Sequence, residues 1–258
     1  MLDAPLAILG PAIILTLCAT SLIFLLLVRR FVLPHLRVTE GDSEFSGAVV
    51  QSIMVFYGLA LALIAVNVWQ TYNDVSKTVS QEAISFAALY RDVSGYPEPI
   101  RGKLQAEIRG YIDQVIHGAW PLMRKGQVPT EGVAWMDRLQ AILTNFEPAS
   151  EGQRILHTET LAAYNRALQA RRMRVDAIDT GLPGVMWAVI VFGAVISISS
   201  CYFFHVEDVR LHCILVALLA VLIGLVITMT VSMNHPFRGD LGLSADPYQL
   251  VYDQLMKP

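Results

Sequence analysis

Gly47–Trp69, GAVVQSIMVFYGLALALIAVNVW, runs without a break into Gln70–Val93, QTYNDVSKTVSQEAISFAALYRDV, and the change of pattern between the two decides the fold. The first stretch holds no Asp, Glu, Lys or Arg, and it exceeds the roughly 20 apolar residues that a helix needs to cross a bilayer core. In the second, the apolar residues narrow to Val75, Val79, Ala83, Phe86 and Tyr90, a stripe at helical spacing. One helix therefore leaves the membrane and continues with a single dry side. Tyr96-Pro97-Glu98-Pro99 ends it, because proline removes a donor and turns the preceding residue away from the helical region.

Three more segments share the uncharged pattern of the first stretch: Leu6–Val28, Leu182–Phe204 and Leu211–Met233. The composition agrees, with 54% hydrophobic and 16% charged residues and a mean hydropathy of +0.50, where soluble domains carry about 25% charged residues. The sequence thus predicts an all-α integral membrane protein. Residues 1–69 form a first transmembrane hairpin (spans 6–28 and 47–69) and 70–181 an extramembrane helical domain. Residues 182–233 form a second hairpin (spans 182–204 and 211–233), followed by a tail over 234–258. Leu6–Val28 reads as an uncleaved anchor, since Met1–Pro5 has no basic residue and Arg29-Arg30 follow the apolar run. The net charge of −3 comes with no dense basic tract, which argues against a nucleic-acid partner.

Orientation follows from basic residues in short loops, which stay cytoplasmic. Arg29, Arg30 and Arg37 lie in one such loop and Arg210 in the other. Lys77, Arg171, Arg172 and Arg174 near the membrane ends of the long domain pull the other way, but long domains translocate largely regardless of charge. The expectation is a multi-pass protein of the bacterial inner (cell) membrane, with 70–181 and both termini periplasmic.

Within the domain, Ile100, Leu104, Ile108, Tyr111 and Val115 form a second stripe running to Trp120-Pro121. Val133, Met136, Leu139, Ile142 and Phe146 form a third, and Ile155, Leu161, Tyr164 and Leu168 a fourth. Helices apolar on one side pack on one another as a bundle. Glu82, Arg91, Asp92, Glu107 and Asp113 are expected on a solvated face or in pairs between subunits.

Polar residues inside the spans are sparse and neutral, and apart from His212 at the edge of the fourth the spans offer no carboxylate, histidine or lysine of the kind that proton-coupled carriers use. A passive pore on an oligomer axis is compatible with such spans. The second span carries the pore-lining candidates Gln51, Ser52, Met54, Gly58 and Asn67; small and amide residues also serve close helix packing. His235, Phe237 and Arg238, just past the fourth span, are candidates for a gate or mouth, or for a helix terminator anchored by Phe237 at the interface. His205, Glu207, Asp208 and His212 crowd one loop and make a weak metal candidate, since their spacing fits no standard signature. Cys18, Cys201 and Cys213 sit in apolar surroundings and read as buried thiols. No phosphate loop, nucleophile elbow or zinc motif occurs, so nothing points to an enzyme or a cofactor.

Phe56-Tyr57, Val68-Trp69-Gln70, Glu82-Ala83, Leu89-Tyr90-Arg91-Asp92, Tyr111, Trp120-Pro121 and His235-Pro236-Phe237-Arg238-Gly239 together resemble a family of bacterial membrane proteins labelled bestrophin-like. The resemblance spans nearly the whole chain. True bestrophins are pentameric anion channels whose second transmembrane helix lines the pore, so the resemblance implies an oligomer with the second span around the axis. The tail Leu241–Pro258 shows no acidic cluster like the bestrophin calcium clasp, and the second span offers only Phe56 toward a phenylalanine-rich neck. Bestrophins also keep the helices between their hairpins in the cytoplasm, opposite to the charge reading. The expected function is a homo-oligomeric ion channel or pore, a pentamer or a tetramer, with membrane lipid, further copies of itself and inorganic ions as partners. The competing class is a non-conducting scaffold or envelope sensor that binds a partner through its helical domain.

Overall fold

The structure, a computed structural model, describes residues 6–35, 40–204, 206 and 208–257, with residues 40–45 as backbone only. All regular structure among these residues is helical. The elements are α1 (Leu6–Leu27), α2 (Glu40–Val93), α3 (Ile100–Gln114), α4 (Trp120–Arg124), α5 (Gly132–Thr144), α6 (Glu151–Asp176), α7 (Gly184–Cys201), α8 (Val209–Met233) and α9 (Asp246–Val251). A π-turn at Val115–Ala119 joins α3 to α4, and another at Tyr252–Met256 extends α9. Four helices are long and apolar enough to cross a membrane: Leu6–His35, Ser46–Val93, Gly184–Cys201 and Val209–Met233. As expected, α2 is a single helix of 54 residues. At about 1.5 Å per residue it is far longer than a bilayer core is thick.

The chain divides into two compact units, Met1–Gln70 with Gly181–Asn234, and Thr71–Thr180 with His235–Pro258. In the membrane unit, α1 lies along α8. Glycines allow that approach: a methyl group on Gly10 would stand 3.2 Å from the Thr228 side chain, and one on Gly224 3.1 Å from that of Ile14. Close contact through small residues is how helices associate where lipid removes the hydrophobic drive. On α2, Tyr57 packs its ring over Gly193 of α7 and donates a hydrogen bond of 3.0 Å to the Ile190 carbonyl. Only 11% to 28% of the most apolar window of each span is buried within the chain. Most span surface is thus left to lipid or to other copies.

His212 corrects one sequence expectation. Rather than lying in a solvated loop it belongs to α8, is buried, and hydrogen-bonds through Nε2 to the Cys201 carbonyl at 3.0 Å. The ring adds a second partner to a carbonyl at the C-terminus of α7 that also accepts from the Phe204 amide at 3.4 Å, which ties the two helix ends together.

The extramembrane unit packs around Val75, Val79, Phe86 and Leu89 of α2, with Leu104, Ile108, Tyr111 and Ile112 of α3 and Met136, Leu139 and Leu143 of α5. The first three apolar stripes thus find their partners, apart from Val133, which is 48% exposed. The fourth is shifted: Ile155 is 59% exposed, and α6 buries Thr160, Ala163, Tyr164, Ala167, Ala170, Arg171 and Arg174. Alanines let α6 sit close to bulky neighbours, so its inner face is small rather than large and apolar. The C-terminal segment folds onto this unit, burying Phe237, Tyr248 and Met256.

Candidate functional site

At roughly 100° per residue, the exposed face of the α2 span resolves into edges. Gln51, Gly58 and Ala62 fall within about 40° of one another, Ser52 lies about 100° from Gln51 and Asn67 about 160°. Gln51, Ser52, Gly58 and Asn67 are exposed, whereas Met54 is half-buried at the margin of the face carrying Tyr57, Leu61, Ile64 and Val68. The Ser52 hydroxyl is already used, donating to the Ala48 carbonyl at 2.9 Å. The candidates therefore do not form a single file. Gln51 and Gly58 share an edge, and Asn67 faces nearly the other way.

His235, Phe237 and Arg238 belong to the extramembrane unit, where Phe237 meets Trp120, Arg238 reaches Gly126 and His235 lies near Arg238 and the Thr180 backbone. Phe237 is 2% exposed and meets Trp120 edge-on at 5.7 Å between ring centres. Trp120 is fixed in turn by donating its indole N–H to the Leu243 carbonyl at 3.0 Å. Arg238 reaches the Gly126 carbonyl with Nη2 at 3.4 Å, while its Nε is buried without a partner. Gly126 has a φ of +69°, and a side chain there would run into the Arg238 guanidinium. Burial and the charge of Arg238 hold the His235 imidazole below its ordinary range.

Of the weak metal candidate, His205 and Glu207 lie outside the described residues. Asp208 caps α8, accepting from the Arg210 amide at 2.8 Å, and His212 is committed to Cys201. Among the described residues no group of three His, Cys, Asp or Glu could hold a metal ion.

Among the described residues a different cluster is the most tightly built polar feature. Glu82 on α2 is fully buried, contrary to a solvated face, and accepts from Arg174 Nε at 2.6 Å and Nη2 at 3.3 Å, and from the Tyr111 hydroxyl at 2.6 Å. Arg174 also directs Nη1 at Met123 Sδ, 2.9 Å away. Tyr248 closes the cluster: the Arg174 guanidinium carbon sits 5.9 Å from its ring centre. Its hydroxyl, buried and near the Glu82 charge but not aligned to bond it, holds its proton far above the ordinary phenol range. Tyr111 is raised for the same two reasons, burial first. The clue in the sequence was phase, since Glu82 lies three residues after Val79 and four before Phe86, inside the apolar stripe. A carboxylate in that phase must be paired to be buried.

A family model, the Bestrophin-like domain, matches residues 15–248. Comparison with curated proteins and with solved structures yields no match. The matched range takes in the first apolar helix from residue 15 onward, the other three whole, the Glu82 cluster and the His235–Gly239 turn, and this multi-pass membrane protein belongs to the Bestrophin-like family.

Proposed function

We propose that the protein is a homo-oligomeric ion channel whose second span stands near the axis. Family membership supports a channel-type membrane protein. The observation that carries the finer reading is α2 itself: among the described residues it alone runs unbroken from a span into the extramembrane unit, and its exposed face in the span bears Gln51 and Gly58 on one edge. In this reading that edge turns toward the axis, with Gly58 widening the bore and the Gln51 amide offering both a donor and an acceptor to a passing ion. Asn67, near the end of the span on the other edge, belongs to the mouth. The remaining exposed apolar surface of α2 meets neighbouring copies and lipid. The spans carry no carboxylate or lysine, which favours passive conduction over proton coupling.

The chain is proposed to sit in the bacterial inner membrane with Arg29, Arg30, Arg37 and Arg210 on the cytoplasmic side and residues 70–181 and both termini in the periplasm. Conductance of purified protein in planar bilayers tests the proposal. Current should appear and should change on Gln51→Leu and Asn67→Ala. Purified protein that remains monomeric and passes no current would remove the proposal in favour of a scaffold.

A further inference from the structure

The first span is the barest of the four: 11% of its most apolar window is buried within the chain, against 17% to 28% in the others. Its helix α1 pairs antiparallel with α8, Gly10 against Thr228 and Ile14 against Gly224. Beside that seam an open groove of about 500 Å³ is lined by Leu9, Ala12, Thr16 and Thr20 of α1 and by Ile227 and Val231 of α8. Its volume falls in the range of small-molecule sites, about 300 to 1,000 Å³. The groove lies wholly within the membrane unit, where no water is at hand to fill what the protein leaves open.

The lining is almost wholly apolar. Thr20 donates its hydroxyl to the Thr16 and Leu17 carbonyls of its own helix, at 2.8 and 3.0 Å. Among the described residues the Thr16 hydroxyl is therefore the one polar side-chain group that the groove offers. A helix of another copy, which would associate through close contacts and bonds between polar side chains, finds little to bond there. Length argues the same way. From Leu9 to Thr20 the groove runs about 16 Å along α1, the depth of one leaflet, half of a hydrocarbon core roughly 30 Å thick. It begins near Leu6, at the end of the unit where α8 finishes, and stops past the middle of α1. A transmembrane helix needs the full depth. Beyond that point the depression changes walls: a smaller one of about 280 Å³ continues from Leu17 and Thr20 to Phe24, but against Val195 and Ile198 of α7. A flexible chain can use the first groove alone, whereas a straight rod along α1 would match it over half its length.

We propose that the groove between α1 and α8 holds one acyl chain of a phospholipid from the leaflet at the Leu6 end of α1. The chain covers α1 surface that the protein leaves bare, and its headgroup stays in the interface beyond Leu9. Recognition is by the length and fit of the chain rather than by the headgroup. The site is independent of the channel reading, because it belongs to the membrane unit whether or not the protein conducts.

The test is native mass spectrometry of the full-length protein in detergent, titrated with dioleoylphosphatidylcholine. One lipid per protomer should bind at least tenfold more tightly than those that follow, and dioleoylphosphatidylglycerol should bind equally well. Ala12→Phe with Thr16→Phe places two rings in the groove at exposed positions and should weaken that first lipid tenfold or more. Leu15→Phe, on exposed α1 surface outside the lining, should leave it unchanged. Lipids that bind without a distinguished first one, or equal affinity in the wild type and the doubly filled variant, would overturn the site. So would a filled variant that keeps its lipid but falls to a smaller oligomer, which would give the groove to a second copy. If the filled variant does not fold, the wild type alone decides: didecanoylphosphatidylcholine, whose chains stop short of Thr20, should bind tenfold more weakly, and binding equal to that of the dioleoyl lipid would overturn the proposal.

Discussion

Glu82→Gln isolates what the buried cluster does for the extramembrane bundle. The substitution keeps the shape and an acceptor for the Tyr111 hydroxyl, now 2.6 Å from Oε1, but it removes the charge that answers Arg174 at 2.6 Å. Both partners are almost fully buried, at 2% and 0% side-chain exposure, so solvent does not screen the loss. Removing one partner of such a pair costs about 3 to 5 kcal/mol. For a unit of this size that corresponds to a fall in unfolding midpoint of roughly 3 °C per kcal/mol, or about 10 to 15 °C. The assay is thermal unfolding of the purified full chain, followed by tryptophan fluorescence, since Trp120 and Trp135 both belong to the core that melts. Adding Arg174→Met should restore most of the loss, because replacing both members of a buried pair by matched side chains is often neutral. A fall under about 3 °C for Glu82→Gln, or a double variant no more stable than the single one, would refute the pairing as an energetic keystone.

Three further outcomes follow from the packing. Gly126→Ala should destabilise the bundle by about 1 to 3 kcal/mol, from the positive φ and the displaced Arg238 guanidinium; adding Arg238→Ala should recover the second part only, as read by denaturant midpoints. Gly193→Val, which would drive into the Tyr57 ring, should loosen the membrane unit and cost of the order of 1 to 3 kcal/mol, measured as loss of detergent resistance; Tyr57→Ala in the same chain should relieve the clash. His235 has a depressed folded pKa against its ordinary 6.5, so its contribution is complete above pH 6.5 and is lost as pH falls below that value. Unfolding midpoints should drop on acidification from pH 7 to pH 5, and His235→Gln should flatten that slope.

The spans were legible because lipid imposes a simple rule, a long uncharged run, and α1, α2, α7 and α8 all satisfy it. The continuation of α2 was legible for the complementary reason, since Val75, Val79, Ala83 and Phe86 keep helical phase past the membrane edge without proline or glycine. The inner face of α6 was not. Periodicity weighs large apolar side chains, whereas Ala163, Ala167 and Ala170 earn their burial by allowing close approach. Glu82 and Arg174 are far apart in sequence, so nothing local announces their pairing; only the phase of Glu82 within an apolar stripe hinted at a buried carboxylate. His212 was assigned to a loop because it stands at the edge of an apolar run, where one turn more or less of helix decides between solvent and core.

The claim that the second span stands near the axis of a channel is tested most directly by reagent block in a cysteine scan of α2. Cys18, Cys201 and Cys213 are unpaired thiols and would first be replaced by serine. Single cysteines at positions 51, 55, 58 and 62 on one edge, and at 56 and 63 on the opposite one, would then be exposed to a charged thiosulfonate during bilayer recording. The account predicts rapid block at 51, 55, 58 and 62 and none at 56 and 63. Block confined to positions 56 and 63, or a protein that passes no current in any form, would contradict it.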